Sequence, residues 1–125
     1  MKQLLIVFLG GGAGTVIRFL IGKLLPYSGK GFPWSTFYAN LIGCLLIGVL
    51  TGYILRNTNE NQSAFILFAT VGFCGGFTTF SSFANENLSF IRSGDYIMLL
   101  SYTLLSLVSG IVMVYLGMLI EKQLH

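Results

Sequence analysis

Charge is what this sequence has least of: seven basic and four acidic side chains in 125 residues. A chain so poor in ionised groups cannot present the solvated surface of a water-soluble domain. Its net charge of +3 is scattered along the length, which argues against a nucleic-acid partner. Proline occurs twice, at Pro26 and Pro33, so only one stretch carries that mark of a loop. The two cysteines, Cys44 and Cys74, each sit inside an apolar run and read as small buried hydrophobes rather than as a disulfide framework. The single histidine is His125, and no Cys/His cluster or spaced carboxylate pair accompanies it. A zinc, iron or copper site is therefore not expected, and the absence of a nucleophile–base pair argues against an enzyme.

Apolar sequence is what remains, 54% of the chain. It falls into four segments, 4–25, 36–55, 64–91 and 96–120, each long enough to cross a hydrocarbon layer that takes roughly 20 residues of helix. The expected fold is all-α, with 1–125 forming one domain of four transmembrane helices in the lipid bilayer. The first segment continues past Gly10 to Gly14 without a small-residue cleavage site, so it reads as a mature helix and not as a signal peptide. Between the first two segments, 26–33 has the turn residues of a surface connection, and Tyr27, Phe32 and Trp34 fit an interfacial aromatic belt. Lys2, Arg56 and Lys122 mark one side of the membrane, and Lys23, Lys30 and Arg92 the other. Orientation follows an excess of basic loop residues, and this near balance leaves none. Dual topology, with copies inserted both ways and pairing antiparallel, is the simplest consequence.

The stretch Gly72-Phe73-Cys74-Gly75-Gly76-Phe77-Thr78-Thr79-Phe80-Ser81-Ser82-Phe83 interrupts the third segment with glycines and hydroxyls. The helix is expected to break there, and backbone that leaves a helix inside hydrocarbon must be satisfied by protein, ions or a water-filled cavity. The second half-helix, starting near Thr79, presents free N–H groups and a positive dipole end to an anion. Hydroxyls of Thr79, Ser81 and Ser82, the Asn40 amide and Tyr102 add neutral donors, and Phe80 and Phe83 offer positive ring edges. Weak, separate contacts of this kind suit conduction. Carbonyls released at the break, met by those of an antiparallel copy, suit one cation.

Elsewhere, Gly10 and Gly14 form a GxxxG pair for close helix packing. Arg18 is either a boundary anchor or a buried structural residue. Thr36, Asn40, Gly43/Cys44, Ile47/Gly48 and Thr51 share one face of the second span, and Tyr102, Ser106, Ser109/Gly110, Met113 and Gly117 one face of the fourth. Each stripe serves either packing or a polar pathway. Glu86 is expected near the far interface, hydrated, with a vestibule role as the alternative.

These residues carry a resemblance. The 72–83 stretch is similar to the signature of the Fluc (CrcB) family of fluoride channels; Gly10-Gly11, Gly14, Arg18 and Phe19 resemble its first-helix motif, and Asn40 with Gly43 its second. The resemblance covers all four spans. It implies an antiparallel, dual-topology homodimer in the cell membrane that exports cytoplasmic fluoride passively, with a structural sodium ion at the dimer centre. Gly75 and Thr78 are then expected to give backbone carbonyls to sodium. Asn40, Thr79, Phe80, Ser81, Phe83, Tyr102 and Ser106 line the fluoride pathway, and Gly10, Gly14, Gly76 and Arg18 are structural. Two positions depart from the family pattern: Phe19 replaces a tyrosine, and Gly110 interrupts the fourth-helix hydroxyl track, with Ser109 the adjacent candidate to continue it. The alternative is a dual-topology drug/proton exchanger like the small multidrug resistance transporters. That chemistry wants a carboxylate deep in the membrane, and Glu60, Glu86, Asp95 and Glu121 stand in loops or near span ends.

Overall fold

The structure is a computed structural model that describes residues 1–57 and 63–124, so Glu60 and His125 lie outside the described residues. The described chain is helical, in the order α1 (Lys2–Leu24), α2 (Trp34–Arg56), a third span in pieces, and α6 (Tyr96–Leu124). The pieces are α3 (Ser63–Leu67), a π-helical segment (Phe68–Cys74), the single turn α4 (Gly75–Phe77) and α5 (Phe80–Ser93). Counting Ser63–Ser93 as one, four spans are long and apolar enough to cross a membrane, and the protein is a multi-pass integral membrane protein. The helix ends lie within a few residues of the ends of the apolar segments.

Local chemistry explains where the third span changes course. The Thr78 N–H and hydroxyl both donate to the Cys74 carbonyl, at 3.0 and 2.9 Å, which closes the upstream helix on its last turn. Thr78 and Thr79 are then extended, with ψ of 156° and 114°. Thr79 caps α5, its hydroxyl oxygen accepting the Ser82 N–H at 3.2 Å. At the other end Gly94, with φ of 74°, takes the left-handed conformation that glycine adopts without strain, and the Asp95 N–H reaches back to the Phe90 carbonyl. Asp95 in turn caps α6 through the Met98 N–H at 3.0 Å, so α5 and α6 are joined by two residues.

Two close helix pairs make the bundle: α1 against the upstream part of the third span, and α2 against α6. Both depend on missing side chains. A Cβ at Gly10 would meet Gly72 Cα at 3.0 Å, one at Gly14 the Phe73 carbonyl, and one at Gly76 the Gly11 carbonyl. In the second pair Gly48 lies on the Val114 backbone and Gly117 on that of Leu45 and Val49. Lipid supplies no hydrophobic drive between helices, so close backbone packing is what holds them together. Glu121, buried against Gly52 near the end of α6, forms an ion pair with Arg56 at 3.2 Å and joins the ends of α2 and α6. Phe37, Phe90 and Tyr102 form a small aromatic core where α2, α5 and α6 meet.

Candidate functional site

Asn40 sits half-buried on α2, opposite the extended residues of the third span. Its amide binds Thr79 twice: Nδ2 donates to the Thr79 carbonyl at 3.1 Å, and Oδ1 accepts the Thr79 N–H at 2.7 Å. In an uninterrupted helix that N–H would go to the Gly75 carbonyl. Likewise the Ser82 N–H, which would go to the Thr78 carbonyl, goes to Thr79 Oγ1. Gly75 and Thr78 thus lose their helical donors to two side chains. The neighbouring Gly76 carbonyl is taken by Arg18 Nε at 3.1 Å. Arg18, half-buried, therefore caps backbone at the interruption.

Two cavities meet here. A groove of about 450 Å³, open along one side, is bordered by Asn40, Cys44, Thr78, Thr79, Phe83 and Ser106 among others, with Phe80 at its lip. A second cavity of about 330 Å³ lies toward the loop joining α1 and α2, bordered by Arg18, Lys23, Ser35, Thr36, Thr79 and Ser82. Thr79 borders both. The first two N–H groups of α5, on Phe80 and Ser81, have no helical acceptor by construction. The Ser106 hydroxyl is buried at the groove wall without a hydrogen-bond partner among the described residues. One end of the site therefore carries two cations, and the groove carries neutral donors in a mostly apolar wall.

The structure brings Asn40, Thr79, Phe80, Phe83 and Ser106 to the groove together with Gly75 and Thr78. Ser81 is exposed, its hydroxyl 3.3 Å from Thr79 Oγ1, and lies outside the lining of both cavities. Tyr102 is not at the groove surface. It is fully buried behind Phe83, with ring centroids 5.2 Å apart, and its hydroxyl donates to Glu86 Oε2 at 2.6 Å. Ser109 donates to the Leu105 carbonyl of its own helix, so it does not continue the track past Gly110; the atom facing Gly110 is Cys44 Sγ.

Glu86 is the residue the sequence reading misplaced. It is 8% exposed, not hydrated at an interface, and Thr36 Oγ1 donates to its second oxygen at 2.5 Å. A signal was available: Phe83, Glu86 and Phe90 are spaced by three and four, which puts the carboxylate on the buried face of α5. Thr36 was read as part of the polar stripe of α2, but its link to a carboxylate 50 residues away has no local signature. That stripe also divides, since Gly48 packs on α6 and Thr51 bonds back to the Ile47 carbonyl at 2.7 Å. Both cysteines border the groove, Cys44 half-buried and Cys74 buried.

Comparison with known proteins agrees across nearly the whole chain. A family model described as CrcB-like protein, Camphor Resistance (CrcB), matches residues 5–118. A protein of Phocaeicola vulgatus named fluoride-specific ion channel FluC is 46% identical over 118 residues, 94% of this chain and 96% of that one. Proteins of the same name from Azobacteroides pseudotrichonymphae and Flavobacterium psychrophilum are 40% and 38% identical. Those matches cover 98% of both chains and 99% and 100%, respectively.

Proposed function

The chain belongs to the CrcB family, and from that premise we propose that it is a passive, fluoride-selective channel through which the anion leaves the cytoplasm. The observation that carries this reading is the Asn40–Thr79 clasp. By holding both backbone groups of Thr79, Asn40 fixes the start of α5 within a membrane span beside the groove, and a helix start of this kind offers an anion its dipole and N–H groups without helical acceptors. Fluoride is small and strongly hydrated, so its passage requires fixed dipoles in place of water. The groove offers them as backbone N–H, amide, hydroxyl and ring edges, with no cation strong enough to trap the ion. Arg18 and Lys23 at the second cavity raise the local anion concentration. Hydrogen fluoride enters an acidified cell as a neutral molecule and dissociates. The negative interior then drives the anion out, which protects against its toxicity.

The reading includes a second copy in antiparallel orientation, with the third span acting as a broken helix at the contact. Phe80 is 80% exposed at the lip of a groove that is open along one side and exposes polar groups of Asn40, Thr78 and Thr79 in a mostly apolar wall. Polar backbone at membrane depth must be covered by protein or water, and the balanced loop charges permit a copy of either orientation. Sodium fits the same contact. The Gly75 and Thr78 carbonyls are the two whose helical donors are redirected, and uncharged oxygens suit a hard monovalent ion. When bound, the ion would supply positive charge that fixes those carbonyls in place. The melting temperature of the purified protein is expected to be higher in sodium than in a large organic cation at equal ionic strength. Equal values, or a monomer by light scattering, would remove this part of the proposal.

The test of function is fluoride efflux from liposomes containing the purified protein, with chloride run in parallel. Efflux is expected for fluoride alone, and only when an ionophore dissipates the charge it carries. Phe80→Ile and Phe83→Ile are each expected to slow it about tenfold, the scale of one lost aromatic contact, without altering assembly. Chloride flux equal to that of fluoride sinks the proposal. The exchanger alternative gains a buried carboxylate in Glu86, but Thr36 and Tyr102 both bond it and the relatives carry the name of channels.

A further inference from the structure

The groove takes Phe83 from α5 and Ser106 from α6. One turn further along α5 stands Asn87, and one turn earlier on α6 stands Thr103. Spacings of four and three keep each on the same helical face as its groove residue. The two side chains meet. Thr103 Oγ1 donates to Asn87 Oδ1 at 3.0 Å, and Asn87 Nδ2 donates to the Phe83 carbonyl at 3.1 Å. A hydrogen-bonded path therefore runs from the α6 hydroxyl through the amide to the backbone of the residue whose ring borders the groove. Neither Asn87 nor Thr103 belongs to the lining of either cavity, so their effect on an ion there acts through Phe83 and Ser106.

The core side of the same helix pair is tied through Tyr102, which donates to Glu86 at 2.6 Å and packs on the rings of Phe83 and Phe90. Asn87 and Thr103 each follow one of those core residues by one position, about 100° further around the helix. Their bond is thus a second tie at a different angle. A single tie leaves two helices free to rock about it; two ties fix both spacing and rotation. Passage of one ion over another depends on the width and lining of the path. We propose that the Asn87–Thr103 bond sets the width of the pathway between Phe83 and Ser106, which makes Asn87 and Thr103 positioning residues for anion selectivity. Chloride is larger than fluoride, and it is the ion that a looser α5–α6 pair would admit. The inference rests on the channel reading and adds to it the contact that holds two of its walls apart.

The experiment measures fluoride and chloride efflux from liposomes for wild type, Thr103→Val, Thr103→Ser and Asn87→Leu, alongside the melting temperatures of the purified proteins. Valine keeps the shape of threonine and removes the donor; serine keeps the donor. Interhelical hydrogen bonds in lipid add little to stability, so melting is expected to stay close to wild type in all three variants. The ratio of fluoride to chloride efflux is expected to fall about tenfold in Thr103→Val and in Asn87→Leu, the scale of one lost contact. Thr103→Ser is expected to keep the wild-type ratio. A wild-type ratio in Thr103→Val overturns the proposal. So does a Thr103→Val protein in which melting temperature and fluoride efflux fall together with no gain of chloride, which would make the bond a fastening of the fold. If wild type itself carries no fluoride, the channel reading fails, and this inference with it.

Discussion

Replacing Gly14 by alanine is expected to prevent stable assembly of α1 on the third span, while Gly12→Ala leaves the protein unchanged. The Cβ at position 14 would coincide with the Phe73 carbonyl and lie 2.8 Å from the Phe77 nitrogen, both main-chain atoms. At Gly12 it would meet nothing within 4 Å. Side chains relieve a clash by changing rotamer, but backbone inside a helix can do so only if the helix moves. An inserted methyl in a packed interior costs about 1–3 kcal/mol, and with backbone on both sides the upper end applies. The displacement spreads to the site, because Arg18 lies one turn beyond Gly14 and gives its Nε hydrogen to the Gly76 carbonyl. Melting temperature and gel-filtration profile in detergent check this. A monodisperse Gly14→Ala protein with native melting would show the contact to be adaptable.

Asn40→Ala is expected to abolish fluoride efflux and to destabilise the protein by about 2–5 kcal/mol, since it orphans both the N–H and the carbonyl of Thr79 at membrane depth. Asn40→Asp separates the two roles of the amide. It keeps an acceptor for the Thr79 N–H, loses the donor to the Thr79 carbonyl, and adds an oxygen able to carry negative charge beside the anion path. More of the stability is expected to survive in Asp than in Ala, with efflux at background in both. Efflux from Asn40→Ala within twofold of wild type would mean that the start of α5 is held by other contacts and that the clasp is not essential to transport.

The sequence reading and the structure agree where the information is local. Apolar length alone specifies four spans, because the cost of unpaired backbone in hydrocarbon leaves a helix of about 20 residues as the only way for a single segment to cross. The spacing of Gly10 and Gly14 marks a packing face, and the structure supplies its partners, Gly72, Phe73 and Phe77. Thr79 is a helix N-cap by composition and by geometry. Asn40 stands out as an amide too costly to face lipid.

Periodicity stops short of the rest because it assigns residues to a face without fixing the height of one helix against another. Tyr102 and Ser106 share a face of α6, yet one is sealed behind Phe83 with Glu86 and the other borders the groove. Ser109 and Gly110 are neighbours in the chain, but a serine hydroxyl in a helix can turn back to its own carbonyls, and this one does. Glu86 meets Thr36 across 50 residues, and Arg18 meets Gly76 across 58. Such pairs arise only when helices dock at a particular depth, which the glycine contacts of α1 and of α2 with α6 set by backbone collision. The sequence by itself determined that this chain is four membrane-crossing helices with a polar interruption in the third. The tertiary structure decided which backbone groups at that interruption are held by side chains, because that depends on which side chains of distant helices reach them.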